Sequence, residues 1–553
     1  MILVHIWSLT TGIDTITGTA NDDSFSSVDG TTVSTWGGLD ALNGGAGSDT
    51  FSIATAHDVS LPAGATVTNI ETVSIAATNG FITLDTTTGW SGLTRLTTTN
   101  SSSLASHLDT TITASATTDV TSTTLTGTAT INGGKNVSVT AASGTVAIGG
   151  GTAALNPVGT VTVVETAAVG DTITVKGGTA VTVTETGANY ASAATANITV
   201  GSTTAIDQPT GAVVVNATTG TANTDGIGQI TITGGTTVTV NEYAGNAAAG
   251  GNNVFLGNVY VTGSALTTAV TVNQAARATG TTPVVGVAGV IGVGSVTGAA
   301  GTDARATVLS VADVVAVAGV VGVTAGLVNI DDKSFATATT SSNTITSVTL
   351  NNYDDAVLRT NALTSLTLGG VGGTVAITNA ATTAATNTTL NLTLNGTKTD
   401  GLTGSNLGIT NWFPRTGGAN TTGTTTIDPG IGAIGNNTIT DTNNEITTVN
   451  VTVNSDSYLY GIADTALTTL NVSGAGVLTL GSVIPSITTI AVSGAAGLQT
   501  AGHHAGQGLS ARAGLLTLTT TSSGTITATL DATTQTFVGS TVLVQRELEN
   551  SIV

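Results

Sequence analysis

The segment Leu467–Val472 reads LTTLNV, and closely similar segments stand at Ile446–Val451 (ITTVNV) and Ile487–Val492 (ITTIAV). The pattern therefore returns at a nearly constant interval along this part of the chain. Apolar and polar residues alternate within each segment, which is typical of a β-strand with one buried face. One equivalent strand in every period of about 20 residues is the sequence signature of a β-solenoid, in which each coil stacks on the previous one.

The same pattern extends towards the amino terminus. It recurs as ITSVTL at Ile345–Leu350 and LTSLTL at Leu363–Leu368, and again as IETVSI at Ile70–Ile75 and LTRLTT at Leu93–Thr98. Both pairs keep an interval close to that of the first three segments. One coil cannot bury its own apolar face, whereas a stack of coils can. The repeats therefore favour a solenoid over much of the chain.

A second repeat places a Gly-Gly pair before an alternating strand. It reads GGKNVSVTAA at 133–142, GGTAVTVTET at 177–186 and GGTTVTVNEY at 234–243. We predict an all-β fold of β-solenoid or β-roll and β-sandwich-like segments with very little helix. An array of immunoglobulin-like sandwiches is the alternative. The best helix candidate is 304–316 (ARATVLSVADVVA).

The repeats and the motif described below suggest four regions. Residues 1–52 form a calcium-binding nonapeptide module, and 53–280 form a β-repeat region with irregular spacing. Residues 281–330 are a Gly/Ala/Val-rich connecting or contact segment, and 331–553 form a solenoid-like repeat domain. The small apolar residues of the third region suit either a subunit contact or buried solenoid strands.

The composition of the 553 residues excludes several classes of protein. Charged residues are 8% and aromatic residues 3%, which excludes a coiled coil, and a hydrophobic content of 40% argues against disorder. The net charge of −21 argues against nucleic acid as a partner, because its phosphates are also negatively charged. Because there is no cysteine, packing or metal has to stabilise the fold outside the cell. The most apolar stretch, 283–296, is too short to span a membrane, and Met1–Leu9 lacks the basic start of a Sec signal.

The sharpest motif is Gly44–Phe51 (GGAGSDTF), which fits the calcium-binding nonapeptide G-G-x-G-x-D-x-U-x. Asp49 has its partner Asp40 one nonapeptide upstream, and Asp14 and Asp23 form a second pair with the same spacing. The step from Asp14 to Asp40 therefore equals the step from Asp23 to Asp49. We expect Asp14 to face Asp40, and Asp23 to face Asp49.

A regular coil consists of two nonapeptides. Its length is shorter than the interval from Asp14 to Asp40. About eight residues within Ser26–Trp36 are therefore expected to form a loop. Glycine turns expose carbonyl oxygens and aspartates add carboxylates, and Ca²⁺ prefers six to eight such oxygen ligands. The predicted Ca²⁺ ligands are Asp14, Asp23, Asp40, Asp49, Asn21 and Gly47. The alternative is a metal-free array in which these aspartates cap backbone amides.

Other candidates are weaker. Asp331-Asp332 and Asp354-Asp355 are more typical of solvated turn charges than of metal ligands. His503-His504 are adjacent, and adjacent strand residues point to opposite faces, so they are poor joint metal ligands. Thr-x-Thr runs such as 182–184 resemble ordinary solvent-facing strand residues more than an ice-binding surface. No phosphate loop, nucleophile elbow or zinc-protease motif is present, so no catalytic residue is predicted.

The segments TTGIDTITGTANDDSF at 10–25 and LNGGAGSDTF at 42–51, together with the repeats and the composition, resemble a known family. It comprises the exported calcium-binding RTX-like repeat proteins of Gram-negative bacteria, and within it the surface-layer proteins similar to that of Caulobacter. The resemblance implies type I secretion, calcium-dependent assembly into a two-dimensional lattice and attachment to lipopolysaccharide. The family usually carries its calcium repeats and its uncleaved export signal near the carboxyl end. Thr541–Val553 matches that signal only vaguely, which leaves a divergent member or another export route open.

The sequence therefore suggests a secreted, non-enzymatic structural protein that self-assembles into a calcium-stabilised surface layer or sheath. The expected partner is a second copy of the chain in a lattice, with lipopolysaccharide as the anchor that the resemblance implies. An adhesin or carbohydrate-binding matrix protein without a lattice is the alternative. A secreted hydrolase on a repeat scaffold is a third reading, which would need a specific pair of carboxylates.

Overall fold

The computed structural model describes the following residues: 5–29, 34–103, 108–166, 170–220, 226–244, 254–277, 283–284, 323–324, 326–332, 344–353, 355–378, 387–399, 438–481, 484–500, 516–528, 535–539 and 544–545. They group into two compact units. The first comprises 1–190, 196–217 and 230–236, and the second comprises 191–195, 218–229 and 237–553. The predicted helix at 304–316, His503-His504 and most of 281–330 lie outside the described residues.

The first unit is a stack of coils whose strands form parallel sheets, numbered here in chain order. The first sheet contains β1 (His5–Ser8), β3 (Asp23–Val28), β5 (Thr50–Thr55), β8 (Thr72–Ala77), β11 (Arg95–Asn100), β13 (Asp119–Thr124), β15 (Val137–Ala141), β17 (Val161–Glu165), β19 (Val181–Ala188) and β21 (Val213–Thr219). The second contains β2 (Thr15–Thr17), β4 (Ala41–Asn43), β7 (Thr66–Thr68) and β10 (Trp90–Ser91). The third contains β6 (Val59–Ser60), β9 (Ile82–Asp85), β12 (Thr110–Ala114), β14 (Ala129–Gly133), β16 (Val146–Ile148), β18 (Ile173–Val175), β20 (Ala196–Val200) and β22 (Gln229–Thr233).

The second unit repeats this arrangement. Its first sheet contains β23 (Thr237–Ala244), β26 (Ala269–Arg277), β30 (Ser347–Tyr353), β32 (Ser365–Gly372), β34 (Thr389–Thr399), β36 (Thr448–Ser455), β39 (Thr469–Gly474), β41 (Thr489–Val492), β43 (Leu516–Thr520) and β45 (Gln535–Gly539). Its second contains β25 (Val259–Thr262), β29 (Val328–Asp331), β31 (Ala356–Arg359), β33 (Val375–Thr378), β35 (Thr438–Asp441) and β38 (Gly461–Ala463). Its third contains β37 (Ser457–Leu459), β40 (Val477–Leu480), β42 (Gly497–Thr500), β44 (Ile526–Thr527) and β46 (Val544–Gln545).

The remaining described elements are small. Strand β24 (Val254–Phe255) pairs with β28 (Val323–Thr324), and β27 (Pro283–Val284) pairs with β26. A single 3₁₀ turn covers Ala205–Asp207 among the described residues. In the same part of the chain, no helix is long and apolar enough to cross a membrane.

The registers of the parallel sheets reproduce the spacing of the sequence repeats. Val73 pairs with Leu96, and each holds the fourth place of its repeated segment. Leu470 pairs with Val449 of the preceding segment and with Ile490 of the following one, again at the fourth place. The predicted solenoid is therefore confirmed. Sandwiches are built from antiparallel sheets, whereas among the described strand pairs of the two units only β26–β27 is antiparallel.

The alternating residues of the first sheet separate a dry interior from a polar exterior. In the first unit, one interior column consists of residues at most 2% exposed: Val73, Leu96, Val120, Val137, Val161 and Val181. Branched side chains have few accessible rotamers and pack well on a pleated surface. Burying one of them stabilises the fold by about 1.5–3 kcal/mol, so the column supplies much of the cohesion between coils.

The Gly-Gly pairs make the turns that precede these strands. Gly133 and Gly134 have φ values of +72° and +88°, and Gly177 and Gly178 have +78° and +87°. A Cβ added at Gly133 would lie 2.2 Å from the carbonyl oxygen of Ala114 in the neighbouring coil. The repeated pair is therefore explained by a left-handed turn pressed against the adjacent backbone, which other residues tolerate poorly.

Candidate functional site

The two predicted aspartate pairs lie on adjacent coils. Strand β2 pairs with β4, and β3 pairs with β5, with the same offset in both cases. The N–H of Asp14 donates to Oδ1 of Asp40 (2.8 Å), and the N–H of Asp23 donates to Oδ1 of Asp49 (2.7 Å). The predicted pairing is confirmed, whereas Ca²⁺ between the pairs stays a prediction.

Residues 30–33 of the expected loop lie outside the described residues, but the residues on either side of them are in contact. Val28 ends β3, and the N–H of Thr35 donates to Oδ1 of Asp29 (2.7 Å). This hydrogen bond spans the positions at which the extra residues were expected. The Asp29 carboxylate thereby joins described residues on either side of this segment.

In the Asp14–Asp40 pair, every carboxylate oxygen accepts a hydrogen bond. Asp14 accepts the N–H (2.8 Å) and the hydroxyl (3.0 Å) of Thr10. Asp40 accepts the N–H of Gly37 (2.7 Å) in addition to that of Asp14. This half of the module corresponds to the metal-free alternative, in which aspartates cap the turns.

In the Asp23–Asp49 pair, one oxygen of each carboxylate accepts no hydrogen bond from the described residues. Oδ2 of Asp23 accepts the N–H of Thr19 (2.5 Å), whereas Oδ1 of Asp23 and Oδ2 of Asp49 are buried with no hydrogen-bond partner among the described residues. Nδ1 of His5 lies 3.5 Å from Oδ1 of Asp23. Oδ2 of Asp49 therefore has neither a hydrogen-bond partner nor an ion-pair partner among the described residues, and such a carboxylate oxygen is a hard ligand of the kind that Ca²⁺ prefers.

Negative charge accumulates around Asp49. Its N–H donates to Oε2 of Glu71 (2.7 Å), and Asp22 accepts the N–H of Ser48 (2.8 Å). Burial raises the pKa of Asp49, and the charges of Glu71, Asp23 and Asp22 raise it further, against the opposing effect of the Asp23 N–H. Burial also acts to raise the pKa of Asp23, but the hydrogen bonds from Thr19 and the charge of His5 outweigh it, so this pKa is lowered.

The glycines bring backbone oxygens to the same place. A Cβ on Gly18 would lie 2.1 Å from the carbonyl oxygen of Gly44 and 2.6 Å from Oδ2 of Asp23. A Cβ on Gly44 would lie 2.4 Å from Oδ2 of Asp49. Only glycine fits at these positions, and its absent side chain leaves carbonyl and carboxylate oxygens side by side. Carbonyl and carboxylate oxygens are the ligands that Ca²⁺ takes, but Oδ2 of Asp23 already accepts the N–H of Thr19, so Oδ2 of Asp49 is the carboxylate oxygen of this pair that would hold the ion.

The other two predicted ligands lie at the rim of the module. Asn21 is exposed, and its N–H donates to the hydroxyl of Thr19 (3.1 Å). Gly47 has φ +134°, and a Cβ there would lie 2.7 Å from the backbone of Asn21. Backbone atoms bring these two residues together. Glu71 was not predicted as a residue of this site. The one feature of the sequence that points to it is its position just before β8, the next repeated strand.

The part of the chain that the structure describes holds no cluster of three or more Asp, Glu or His side chains arranged to bind a metal. Asp331 and Asp332, predicted as solvated turn charges, are instead buried. Asp331 pairs with Arg359 (3.0 Å), and Asp332 accepts the hydroxyl of Thr360 (2.6 Å). That prediction was wrong because these acids lie where β29 ends inside the second unit, and Arg359 neutralises one of them.

A second feature is an uncharged outer surface on the second unit, which we call the hydroxyl face. Its central row comprises outward residues paired strand by strand: Thr239, Thr271, Thr349, Thr367, Thr393, Thr452 and Ser473. Next to it on one side lies the row Ser347, Ser365, Asn391, Asn450 and Asn471, and beyond that lies the row Thr389, Thr448, Thr469, Thr489 and Thr517. Neighbouring strands of a sheet lie about 4.8 Å apart, so the face repeats the same groups at a regular interval.

Side-chain hydrogen bonds order this face. The amide of Asn450 donates to Oδ1 of Asn391 (3.0 Å), and the amide of Asn471 donates to Oδ1 of Asn450 (2.9 Å). A matching row of hydroxyl residues in the first unit comprises Ser8, Ser26, Ser52, Ser74, Thr97, Thr121, Ser138, Thr162 and Thr182. There, Arg95 and Asp119 stand in the flanking row, so the first unit's row has charged neighbours.

Comparison with known proteins adds no family. No protein-family model matches the chain, and no curated protein matches it in sequence.

Proposed function

We propose that this chain is a secreted, non-enzymatic structural protein that self-assembles into a calcium-stabilised surface layer or sheath on a Gram-negative cell. The resemblance of its nonapeptides and repeats to exported surface-layer proteins supports the cellular setting, and lipopolysaccharide is the anchor in this proposal. The solenoid supports a structural role, because a stack of coils offers long, regular outer surfaces for repeated contacts.

The observation that carries the proposal is the hydroxyl face. The chain has a net charge of −21, so two copies repel each other over most approaches. The rows through Thr367 and Thr452 contain only hydroxyl, amide and small side chains across many coils. Two copies can meet there without opposing like charges, which would cost several kcal/mol.

The Asp23–Asp49 pair supports the calcium part of the proposal. A bound Ca²⁺ would neutralise two buried carboxylates and would stabilise the folded coils relative to the unfolded chain. Because the same ion lowers the overall negative charge, it also weakens repulsion between copies. Calcium is therefore proposed to act on both folding and assembly.

The face is tested by adding one negative charge to it. Thr367→Glu, in β32, places a carboxylate in the central row, and electron microscopy in Ca²⁺ is expected to show dispersed particles in place of layers. Ala376→Glu, in β33 of the same coil, adds the same charge at an outward position of another sheet. This control variant is expected to form layers as the wild type does.

Two results would contradict the proposal. Thr367→Glu layers identical to the wild-type layers would exclude the hydroxyl face as the contact surface. Wild-type chains that stay separate in Ca²⁺ and bind immobilised glycans would instead indicate a carbohydrate-binding matrix protein.

A further inference from the structure

A pair of acidic residues lies inside the first unit, away from the amino-terminal turns. Glu165 ends β17, and Glu185 is its in-register neighbour on β19. Both side chains are fully buried. Tyr190 and Asn197, also buried, complete the wall of this interior corner, where the first sheet gives way to β20 of the third sheet.

The polar groups in this corner include more hydrogen-bond acceptors than donors. The hydroxyl of Tyr190 faces three acceptors: the carbonyl oxygen of Asp171, Oδ1 of Asn197 (2.6 Å) and Oε1 of Glu185 (3.3 Å). The amide of Asn197 donates to Oε2 of Glu185 (2.8 Å). A tyrosine has one hydroxyl proton, so it can satisfy only one of the three acceptors.

Glu165 increases this excess of acceptors. Neither of its carboxylate oxygens has a hydrogen-bond partner among the described residues. An interior acid of the second unit shows the usual solution: Glu242 accepts the N–H of Gly257 (3.0 Å) and the amide of Gln274. A buried carboxylate without donors is costly unless a proton or a cation compensates it.

The electrostatics agree with this geometry. Burial raises the pKa of Glu165 to about 8, with the charges of Glu185 and Asp171 adding to the effect. Burial also raises the pKa of Glu185 to about 7, although the hydrogen bonds from Asn197 and Tyr190 act in the opposite direction. No cationic side chain among the described residues offsets these effects on either acid.

We propose that Glu165, Glu185, Asn197, Tyr190 and the carbonyl of Asp171 form an interior binding site for one divalent cation, with Ca²⁺ as the best match. The ligands are all oxygens, and six to eight oxygens are the set that Ca²⁺ takes. Two carboxylates balance the charge of one divalent ion. Only two of the proposed ligands are acidic side chains, and the others are neutral oxygens. The site is therefore consistent with the lack of a cluster of three acidic or histidine side chains among the described residues. Because the corner is sealed from solvent, the ion enters during folding.

The proposal is tested on the full chain, refolded either with Ca²⁺ or with a chelator, by counting bound ions and measuring thermal unfolding. The combined Glu165→Gln and Glu185→Gln variant is expected to lose one bound Ca²⁺ and the corresponding rise in unfolding temperature. In chelator it is expected to be more stable than the wild type, because burying a neutral amide costs less free energy than burying a carboxylate. Glu242→Gln is the matched control and is expected to keep the ion.

Asp23→Asn with Asp49→Asn separates this site from the amino-terminal turns and is expected to keep the interior ion. A milder variant, Tyr190→Phe, covers the case in which the double variant does not fold. It is expected to weaken Ca²⁺ binding about tenfold and, when combined with Asp23→Asn and Asp49→Asn, to abolish sensitised luminescence of Tb³⁺, used in place of Ca²⁺.

Three results would overturn the interior site. One is an unchanged ion count in the combined glutamine variant, and another is unchanged Tb³⁺ luminescence when Tyr190→Phe is combined with the two asparagine substitutions. The third is a wild-type chain that does not respond to Ca²⁺ but gains stability as the pH falls below about 8. That result would mean that the acid pair holds a proton and not a metal ion.

Discussion

Asp40 and Asp49 occupy equivalent places in the nonapeptide pattern, but they use their carboxylates differently. Both oxygens of Asp40 accept backbone N–H groups, whereas Oδ2 of Asp49 has no partner among the described residues. The spacing of the aspartates predicted which residues meet, because an offset in the sequence becomes a register in the stack. It could not predict which oxygens remain available, because that depends on where Gly37 and Glu71 place their atoms.

Buried acids elsewhere were beyond sequence reasoning for the same reason. Glu165 and Glu185 stand in ordinary alternating strands, and nothing in their neighbourhood resembles a ligand motif. Their importance arises because β17 and β19 pair in register and point both carboxylates inward. A signal was present in the alternation itself, which places each acid at an interior position of its strand.

Asp464 provides a pH-dependent test at the residue scale. Burial raises its pKa to about 6, and the nearby Asp441 adds to the shift, against the hydrogen bonds from Ala466 and Leu467. The folded state therefore binds more protons than the unfolded state between about pH 4 and 6, so stability falls as the pH rises through this window. The corresponding loss of stability is at most about 3 kcal/mol.

We expect Asp464→Asn to be more stable than the wild type at about pH 7 by about 1–3 kcal/mol, and equal to it near pH 4. The asparagine amide can donate to Asp441 without the cost of a buried charge. Urea unfolding at the two pH values measures the difference. A variant less stable than the wild type at about pH 7 would show that the ionised Asp464 carboxylate does not destabilise the folded state.

At the scale of strands, the sequence predicted more than at the scale of residues. The units that begin at Ile446, Leu467 and Ile487 became β36, β39 and β41, and their registers equal the repeat offsets. This worked because one strand per coil, with alternating faces, leaves a single register that buries the apolar side. Over 53–280 the same architecture could not be recognised from a constant repeat length. Turns and insertions there lengthen the coils without changing the strands.

Leu470→Ala tests the interior column of the second unit. Leu470 is fully buried between Val449 and Ile490, so we expect a loss of about 2–5 kcal/mol. Thr469→Ala, on the hydroxyl face of the same strand, is the control and is expected to change stability by less than about 0.5 kcal/mol.

Because coils contact only their neighbours, hydrogen exchange in Leu470→Ala is expected to rise mainly in β36, β39 and β41. Exchange in β8 and β11 of the first unit is expected to stay as in the wild type. A uniform loss of protection over both units would contradict this local response.

At the scale of the whole molecule, the sequence predicted the class of fold, and the structure adds two units of stacked coils with an uncharged face on the second. That face could not be foreseen from the threonine runs alone, since it exists only when residues such as Thr271 and Thr349, far apart in the chain, pair side by side. The proposed function therefore depends on whether this strongly acidic solenoid assembles through the hydroxyl face under the control of Ca²⁺.

The most direct measurement is electron microscopy with diffraction on the purified wild-type chain, first in Ca²⁺, then after chelation and again after Ca²⁺ is restored. We predict an ordered two-dimensional layer in Ca²⁺ that disperses on chelation and re-forms when the ion returns. Layers that persist in chelator, or chains that remain separate in Ca²⁺, would contradict the proposed calcium-dependent assembly.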